Sequence, residues 1–237
     1  MSQVLKIEGL KRTFINGEIE VHALRGVDLE VDKGEFISLA GPSGSGKTTL
    51  FNLIGGLDSP TDGKVYLEAQ DMGKMSAKEL SALRLAKIGF VFQAYNLIPV
   101  LSAFENVEYP LLLRGLNSAK RRSRASDMLE AVGLKDMMHR RPDQLSGGQQ
   151  QRVAVARALV GEPSLVLADE PTANLDSKTG LGLLSMMREL NEELGTTFLF
   201  STHDNMVMRA AKRLLQLKDG KLISDEKRES QLREDEV

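Results

Sequence analysis

One eight-residue stretch constrains this chain more than any other: Gly41-Pro42-Ser43-Gly44-Ser45-Gly46-Lys47-Thr48. An apolar run at 36–40 precedes it, and Leu50, Leu53, Ile54 and Leu57 follow at the spacing of one helical face. A buried strand that turns through glycines into a helix opens an α/β unit. The glycines let backbone N–H groups crowd one point, and the helix N-terminus adds a partial positive charge there. Lys47 brings a full charge suited to β- and γ-phosphates, and Thr48 a hydroxyl suited to magnesium. The candidate nucleotide-binding residues are therefore Gly41, Ser43, Gly44, Ser45, Gly46, Lys47, Thr48 and Thr49. Kinases, GTPases, helicases and transport ATPases all use such a loop, so it does not choose among them.

Further apolar runs at 88–92, 165–168 and 197–201, separated by helical stretches, predict a mainly parallel sheet covered by helices. Short alternating runs at 4–7 and 27–31, broken by Asn16-Gly17 and Lys33-Gly34, predict an antiparallel β-lobe. Between the second and third core runs lies a helical insert, with Ala125, Met128, Leu129 and Val132 on one face and Gly133 as its stop. A hairpin is expected around Asp219-Gly220. The expected organisation is one domain over 1–237: an ATP-binding core with its β-subdomain at 1–93 and 158–224, a helical subdomain at 94–157, and a charged, frayed tail at 225–237. In fold class this is α/β, a P-loop (RecA-like) core with an antiparallel β-subdomain and an inserted α-helical subdomain.

Composition narrows the chemistry. There is no cysteine, which excludes disulfides, thiolate metal sites and thiol nucleophiles. Lys plus Arg total 31 against 33 Asp plus Glu, so no basic excess points to nucleic acid, and none is expected as a partner. The cluster Lys120-Arg121-Arg122-Ser123-Arg124 sits on an amphipathic helix and reads as a solvated face. No run reaches the ~18–20 apolar residues of a membrane span, and the first residues alternate instead of forming a signal-peptide core. A cytoplasmic chain is expected.

Two acids follow the apolar run 165–168, where a core strand delivers side chains to the ligand edge of the sheet. Asp169 suits magnesium; strand alternation turns Glu170 the other way, toward an attacking water. His203 follows the run 197–201 and is placed to hold the γ-phosphate, the water and Glu170 in line.

A second glycine-led helix begins at Leu145-Ser146-Gly147-Gly148-Gln149 and continues through a strong helix-forming run to Leu159. Its N-terminus is another anion site, with Ser146 able to donate to a phosphate oxygen. With these motifs the sequence resembles the ATP-binding cassette family, and the resemblance spans nearly the whole chain. The phosphate loop, Gln93, the signature at 145–149, the acids at 165–170, Asn174-Leu175-Asp176 and His203 occur in the family's order. The resemblance implies a homodimer in which Ser146, Gly148 and Gln149 of one subunit close over ATP held by Lys47 of the other. Asp176 would lie at the seam. It also implies that Gln93 serves the magnesium and γ-phosphate, and that Phe14 stacks on adenine; packing of Phe14 in the core is the alternative.

Gly55-Gly56-Leu57-Asp58, Phe92-Gln93, 145–152 and 167–172 look like the branch of lipoprotein-releasing, macrolide-exporting and FtsE-type division ATPases. A transport ATPase is the leading expectation, and a division-associated force transmitter the alternative. Either implies a separate membrane subunit and a position on the cytoplasmic face of the inner membrane. The segment 93–116 is apolar for a connection and is the expected docking surface. Chromosome-maintenance and repair ATPases carry a long coiled coil between phosphate loop and signature, and fewer than about a hundred residues intervene here. An unrelated phosphotransferase would not need residues 145–149.

Overall fold

Every residue of β3 (Phe36–Ala40) is buried, as are four of five in β7 (Leu165–Asp169) and all of β8 (Thr197–Thr202). Continuous burial follows from a sheet covered on both sides. Phe36, Val166, Ala168, Phe198 and Phe200 enter one apolar cluster, while Ile37, Leu39, Leu165, Leu167 and Leu199 enter the other. This is the two-residue period of a strand, with both faces apolar. The structure, a computed structural model, describes residues 3–17 and 19–228, with Asn16 described by its backbone alone.

The central sheet has the order β10-β9-β3-β8-β7-β6, where β6 is Ile88–Phe92, β9 is Arg213–Lys218 and β10 is Lys221–Lys227. All its neighbours run parallel except the β9–β10 hairpin, whose turn residues Asp219 and Gly220 both have left-handed backbones, φ 48° and 75°. Successive left-handed turn residues match the twist of paired strands. A second, four-stranded sheet holds β1 (Gln3–Asn16), β2 (Ile19–Asp32), β4 (Asp62–Leu67) and β5 (Gln70–Asp71). The short runs at 4–7 and 27–31 are parts of two fourteen-residue strands, interrupted by bulges in register.

Helix α1 (Lys47–Ile54) leaves β3 through the glycine loop and buries Leu50, Phe51, Leu53 and Ile54. Leu57 does not share this face: Gly55 and Gly56 end the helix, and Leu57 is 53% exposed beyond it. Helix α2 (Ala77–Lys87) leads to β6. Between β6 and β7 come α3 (Ala103–Leu113), α4 (Ser118–Ala131) and α5 (Gly147–Leu159). Ala125, Leu129 and Val132 are buried with Met128 partly so, and Gly133 at φ 72° follows. Gly89 in β6 lets α5 approach, since a Cβ there would lie 2.5 Å from the Ala158 carbonyl oxygen. In the basic cluster on α4, Arg121 pairs with Glu108 and Arg124 with Glu162. Helix α6 (Ser177–Leu194) connects β7 to β8, and α7 (Asn205–Ala210) connects β8 to β9.

The expected fraying from residue 225 is not observed, because β10 continues to Lys227; residues 229–237 lie outside the described residues. Arg213 causes this. Its guanidinium is almost buried and donates two bonds to Asp225, at 2.7 and 2.6 Å, and further bonds to Glu35 and the Glu30 carbonyl. The fork fits the carboxylate edge to edge and joins β9, β10, and the end of β2. The same bonds hold the Asp225 carboxyl below the usual carboxylate range. Asp225→Asn should cost about 1–2 kcal/mol at neutral pH, less than a fully buried pair because the Asp225 side chain stays 37% exposed. A carboxyl whose folded pKa is depressed stabilises above its unfolded value, about 3.9, and loses that contribution as pH falls through the folded value. Denaturant unfolding of the two proteins should therefore differ at pH 7 and converge as the pH falls through the depressed folded value of Asp225.

Candidate active site

The phosphate loop is closed from both sides by backbone. A Cβ on Gly41 would lie 2.2 Å from the Leu217 carbonyl oxygen, and one on Gly46, at φ 105°, would lie 2.5 Å from that of Ala23. Glycine at both positions is a packing requirement, and at Gly46 a conformational one as well. Gly46 is the N-cap of α1 and offers no side chain to it, and the first turn carries no acid. The N–H groups at this end remain for an anion. The Lys47 ammonium donates to the carbonyls of Gly41 and Pro42 at 2.7 and 3.1 Å. The β9–β10 hairpin clamps the loop through Gly220, whose N–H donates to the Ser45 carbonyl at 3.0 Å.

A cleft of about 840 Å³ opens in front of this loop. Ser43, Gly44, Gly46, Lys47, Thr48, Thr49, Gln93, Asp169, Glu170 and His203 all line it. Residues from four separated stretches of sequence thus meet, because β3, β6, β7 and β8 are parallel and end at one edge. Ser45 sits beneath, with its side chain buried and its N–H donated to Pro42. Gly41 lies in the loop floor and does not line the cleft.

Burial pushes the Asp169 carboxyl above its ordinary value; a Ser201 hydrogen bond opposes this, the neighbouring Glu170 charge adds to it, and Lys47 opposes it. A cation beside Asp169 would favour its ionised form. Glu170 reaches the cleft by a different route from simple alternation. The strand ends at Asp169, and Glu170 takes a left-handed backbone at φ 48°, a conformation costing a non-glycine residue about 1–2 kcal/mol. Its N–H donates to the Ser201 carbonyl at 2.9 Å, and its carboxylate lies 3.0 Å from the Thr202 hydroxyl and 2.6 Å from His203 Nδ1. A carboxylate only accepts, so Nδ1 carries the hydrogen in this pair. Strain held by three bonds beside a phosphate loop is the kind found at reacting centres.

The structure leaves four expected residues outside this cleft besides Gly41 and Ser45. Phe14 on β1 is 41% exposed, which excludes core packing, and its ring lies under the Arg12 guanidinium at 4.6 Å. Its partner across the ladder, Val21, does line the cleft. Ser146, Gly148 and Gln149 stand at the start of α5 and line no part of the cleft. Ser146 and Gln149 cap each other, at 3.3 and 2.9 Å. The Ser146 hydroxyl accepts in this bond, so its hydrogen can still be donated outward. Gly148 is tight against its own subunit, since a Cβ would meet Thr179 at 2.5 Å. Asp176 caps α6 through Thr179, whose bonds hold its carboxyl below the usual range.

Several site residues have no local signal in the sequence. Glu20, Val21, His22, Ala23 and Arg25 line the cleft because β2 folds across the loop, which only the β1–β2 register reveals. Asp219 and Gly220 read as a turn and nothing more. Gln151 is fully buried on α5 and donates to the Pro171 carbonyl at 2.8 Å, tying the second glycine-led helix to the turn after the two acids.

Residues 24–173 match the family described as ABC transporter. An ABC transporter ATP-binding protein of Thermotoga maritima is 46% identical over 228 residues, covering 96% of this chain and 97% of that one. The ATP-binding cassette MJ0796 of Methanocaldococcus jannaschii is also 46% identical. Its dimeric post-hydrolysis structure, bound to ADP and Pi, superposes with a TM-score of 0.86 over 94% of this chain and 98% of that one. The macrolide export ATP-binding/permease protein MacB of Brucella melitensis is 45% identical over 222 residues, where this chain spans 34% of the longer protein.

Proposed function

The chain belongs to the ABC transporter family, and from that premise we propose that it is the ATP-hydrolysing subunit of a transporter, working as a homodimer beneath a separate membrane subunit. One observation carries the reading. The phosphate loop, Gln93, Asp169, Glu170 and His203 converge on one cleft, whereas the glycine-led N-terminus of α5 lines no part of it. Each chain thus has one half of a site and the complement of another, and two copies facing each other complete both.

Lys47 and the N–H groups of Gly44 and of Gly46 to Thr49 hold the phosphates, and the adenine lies toward Val21 of β2, where its ladder partner Phe14 on β1 stacks on it. Thr48, Asp169 and Gln93 are the ligands available to magnesium, and a cation there would offset the burial that raises the Asp169 pKa. Bound there, magnesium would neutralise charge on the β- and γ-phosphates. Glu170 orients the attacking water and takes its proton as the oxygen bonds to phosphorus and ADP leaves. His203 keeps Glu170 in line through the 2.6 Å contact and faces the γ-phosphate. Ser146, Gly148 and Gln149 close on the partner subunit's nucleotide.

The identity to the ATP-binding part of MacB supports a macrolide-export or lipoprotein-releasing type of transporter. Among the described residues no helix is long and apolar enough to cross a membrane, and the chain reaches the cytoplasmic face by docking. The docking surface is the groove beside β6 and α3, about 410 Å³, lined by Leu57, Leu85, Phe90, Phe92, Pro110 and Arg157 among others. Val100 before α3 and Tyr109, Leu112 and Leu113 on it are exposed apolar side chains available to the same partner. Within the segment 93–116, Ala103, Val107 and Leu111 are core and Ile98 and Leu101 half-buried, so the outer residues carry the contact.

Glu170→Gln should bind ATP with near wild-type affinity yet hydrolyse it at least ~100-fold more slowly, and with ATP and magnesium should form a stable dimer by light scattering. Normal hydrolysis by this variant would contradict the assignment. Leu112→Asp combined with Leu113→Asp should release the protein from membranes containing its partner while leaving soluble ATPase activity within about two-fold of wild type. Unchanged membrane association would remove this face from consideration.

A further inference from the structure

We propose that Thr202 is the positioning residue for Glu170, setting the carboxylate that acts on water. The inference rests on the reading of Glu170 given above. Thr202 is the last residue of β8, fully buried, and lies in register with Ala40 at the entrance to the phosphate loop. Its hydroxyl accepts the Asp204 N–H at 2.9 Å and donates to Glu170 Oε2 at 3.0 Å. A hydroxyl has a single hydrogen, so the N–H on its acceptor side fixes which way that hydrogen points. The result is a donor aimed permanently at one oxygen of Glu170.

The support behind Thr202 is itself anchored. Asp204 caps α7 through the Met206 N–H at 2.8 Å and accepts the Thr172 hydroxyl at 2.9 Å. Thr172 is buried in the turn that follows Glu170, so the chain of bonds Thr172–Asp204–Thr202–Glu170 closes on itself. A β-branched side chain in a buried strand has little rotamer freedom. His203, by contrast, is 74% exposed at its side chain and free of such confinement. The two oxygens of Glu170 therefore differ in kind: Oε2 is held from beneath by a fully buried residue, and Oε1 faces a ring at the open edge. Rotation of the carboxylate about its last bond is stopped by Thr202, and this leaves Oε1 for the water and the histidine.

Valine matches threonine in shape and strand preference, so Thr202→Val removes both bonds of the hydroxyl, to Glu170 and from the Asp204 N–H, with little change in packing. Steady-state ATP hydrolysis by the full chain is measured for wild type, Thr202→Val, Thr202→Ala, Thr202→Ser and Glu170→Gln. Loss of a hydrogen bond to a charged group predicts kcat lowered about 10- to 100-fold in Thr202→Val and Thr202→Ala. KM for ATP should stay within about two-fold of wild type, since the Thr202 hydroxyl is bonded to Glu170 and the Asp204 N–H and not to the phosphate loop. Thr202→Ser, which keeps the hydroxyl, should recover kcat to within about five-fold of wild type. Wild-type kcat in the valine or alanine variant overturns the inference, as does a loss that serine does not restore or that appears equally in KM. Wild-type hydrolysis by Glu170→Gln would instead strike the role of Glu170, which keeps the two failures distinct.

Discussion

Burial of the central sheet on both faces governs the rest of this molecule. With side chains of β3, β7 and β8 alternating between two apolar clusters, charged groups are confined to the strand ends. Because these strands and β6 run parallel, their C-terminal ends coincide. The phosphate loop, Gln93, the acid pair and His203 are brought together by that coincidence alone, over more than 150 residues of sequence. A helix dipole, a lysine and two carboxylates then share one cleft, a combination that suits a polyphosphate with a metal ion.

Within the cleft, the position of Glu170 depends on neighbours more than on its own strand. Its left-handed backbone is unfavourable in isolation and is offset by the bond its N–H donates to the Ser201 carbonyl and by bonds its carboxylate accepts from Thr202 and His203. On the other side of the sheet edge, Gln151 and the close approach at Gly89 fix α5 against the core. The signature helix and the acid turn therefore share contacts within one subunit, while on the proposed reading they serve different nucleotides.

Much of this was legible in the sequence, for physical reasons that can be named. The strands at 88–92, 165–168 and 197–201 were readable because two-sided burial writes itself as continuous apolar residues, and the phosphate loop because few backbones other than a glycine-rich one can approach phosphate so closely. Leu57 reads as part of the helical face because the apolar spacing continues past the two glycines that end the helix. The ordering of β10 was hidden because charged residues read as a solvated tail until Arg213, twelve positions earlier, supplies a buried partner. Thr202, Glu20 and His22 carry no local signal, since their roles arise from register and from a strand folding across the loop.

The account turns on the two halves of each site lying on different chains. Lys47→Ala disables one half and Ser146→Arg the other, so each protein alone should be inactive. Mixed in equal amounts, half of the dimers would be hybrids with one intact site, and ATP hydrolysis should return to about a quarter of the wild-type rate. A Ser146→Arg protein that hydrolyses ATP at the wild-type rate as a monomer, with no dependence on protein concentration, would contradict it.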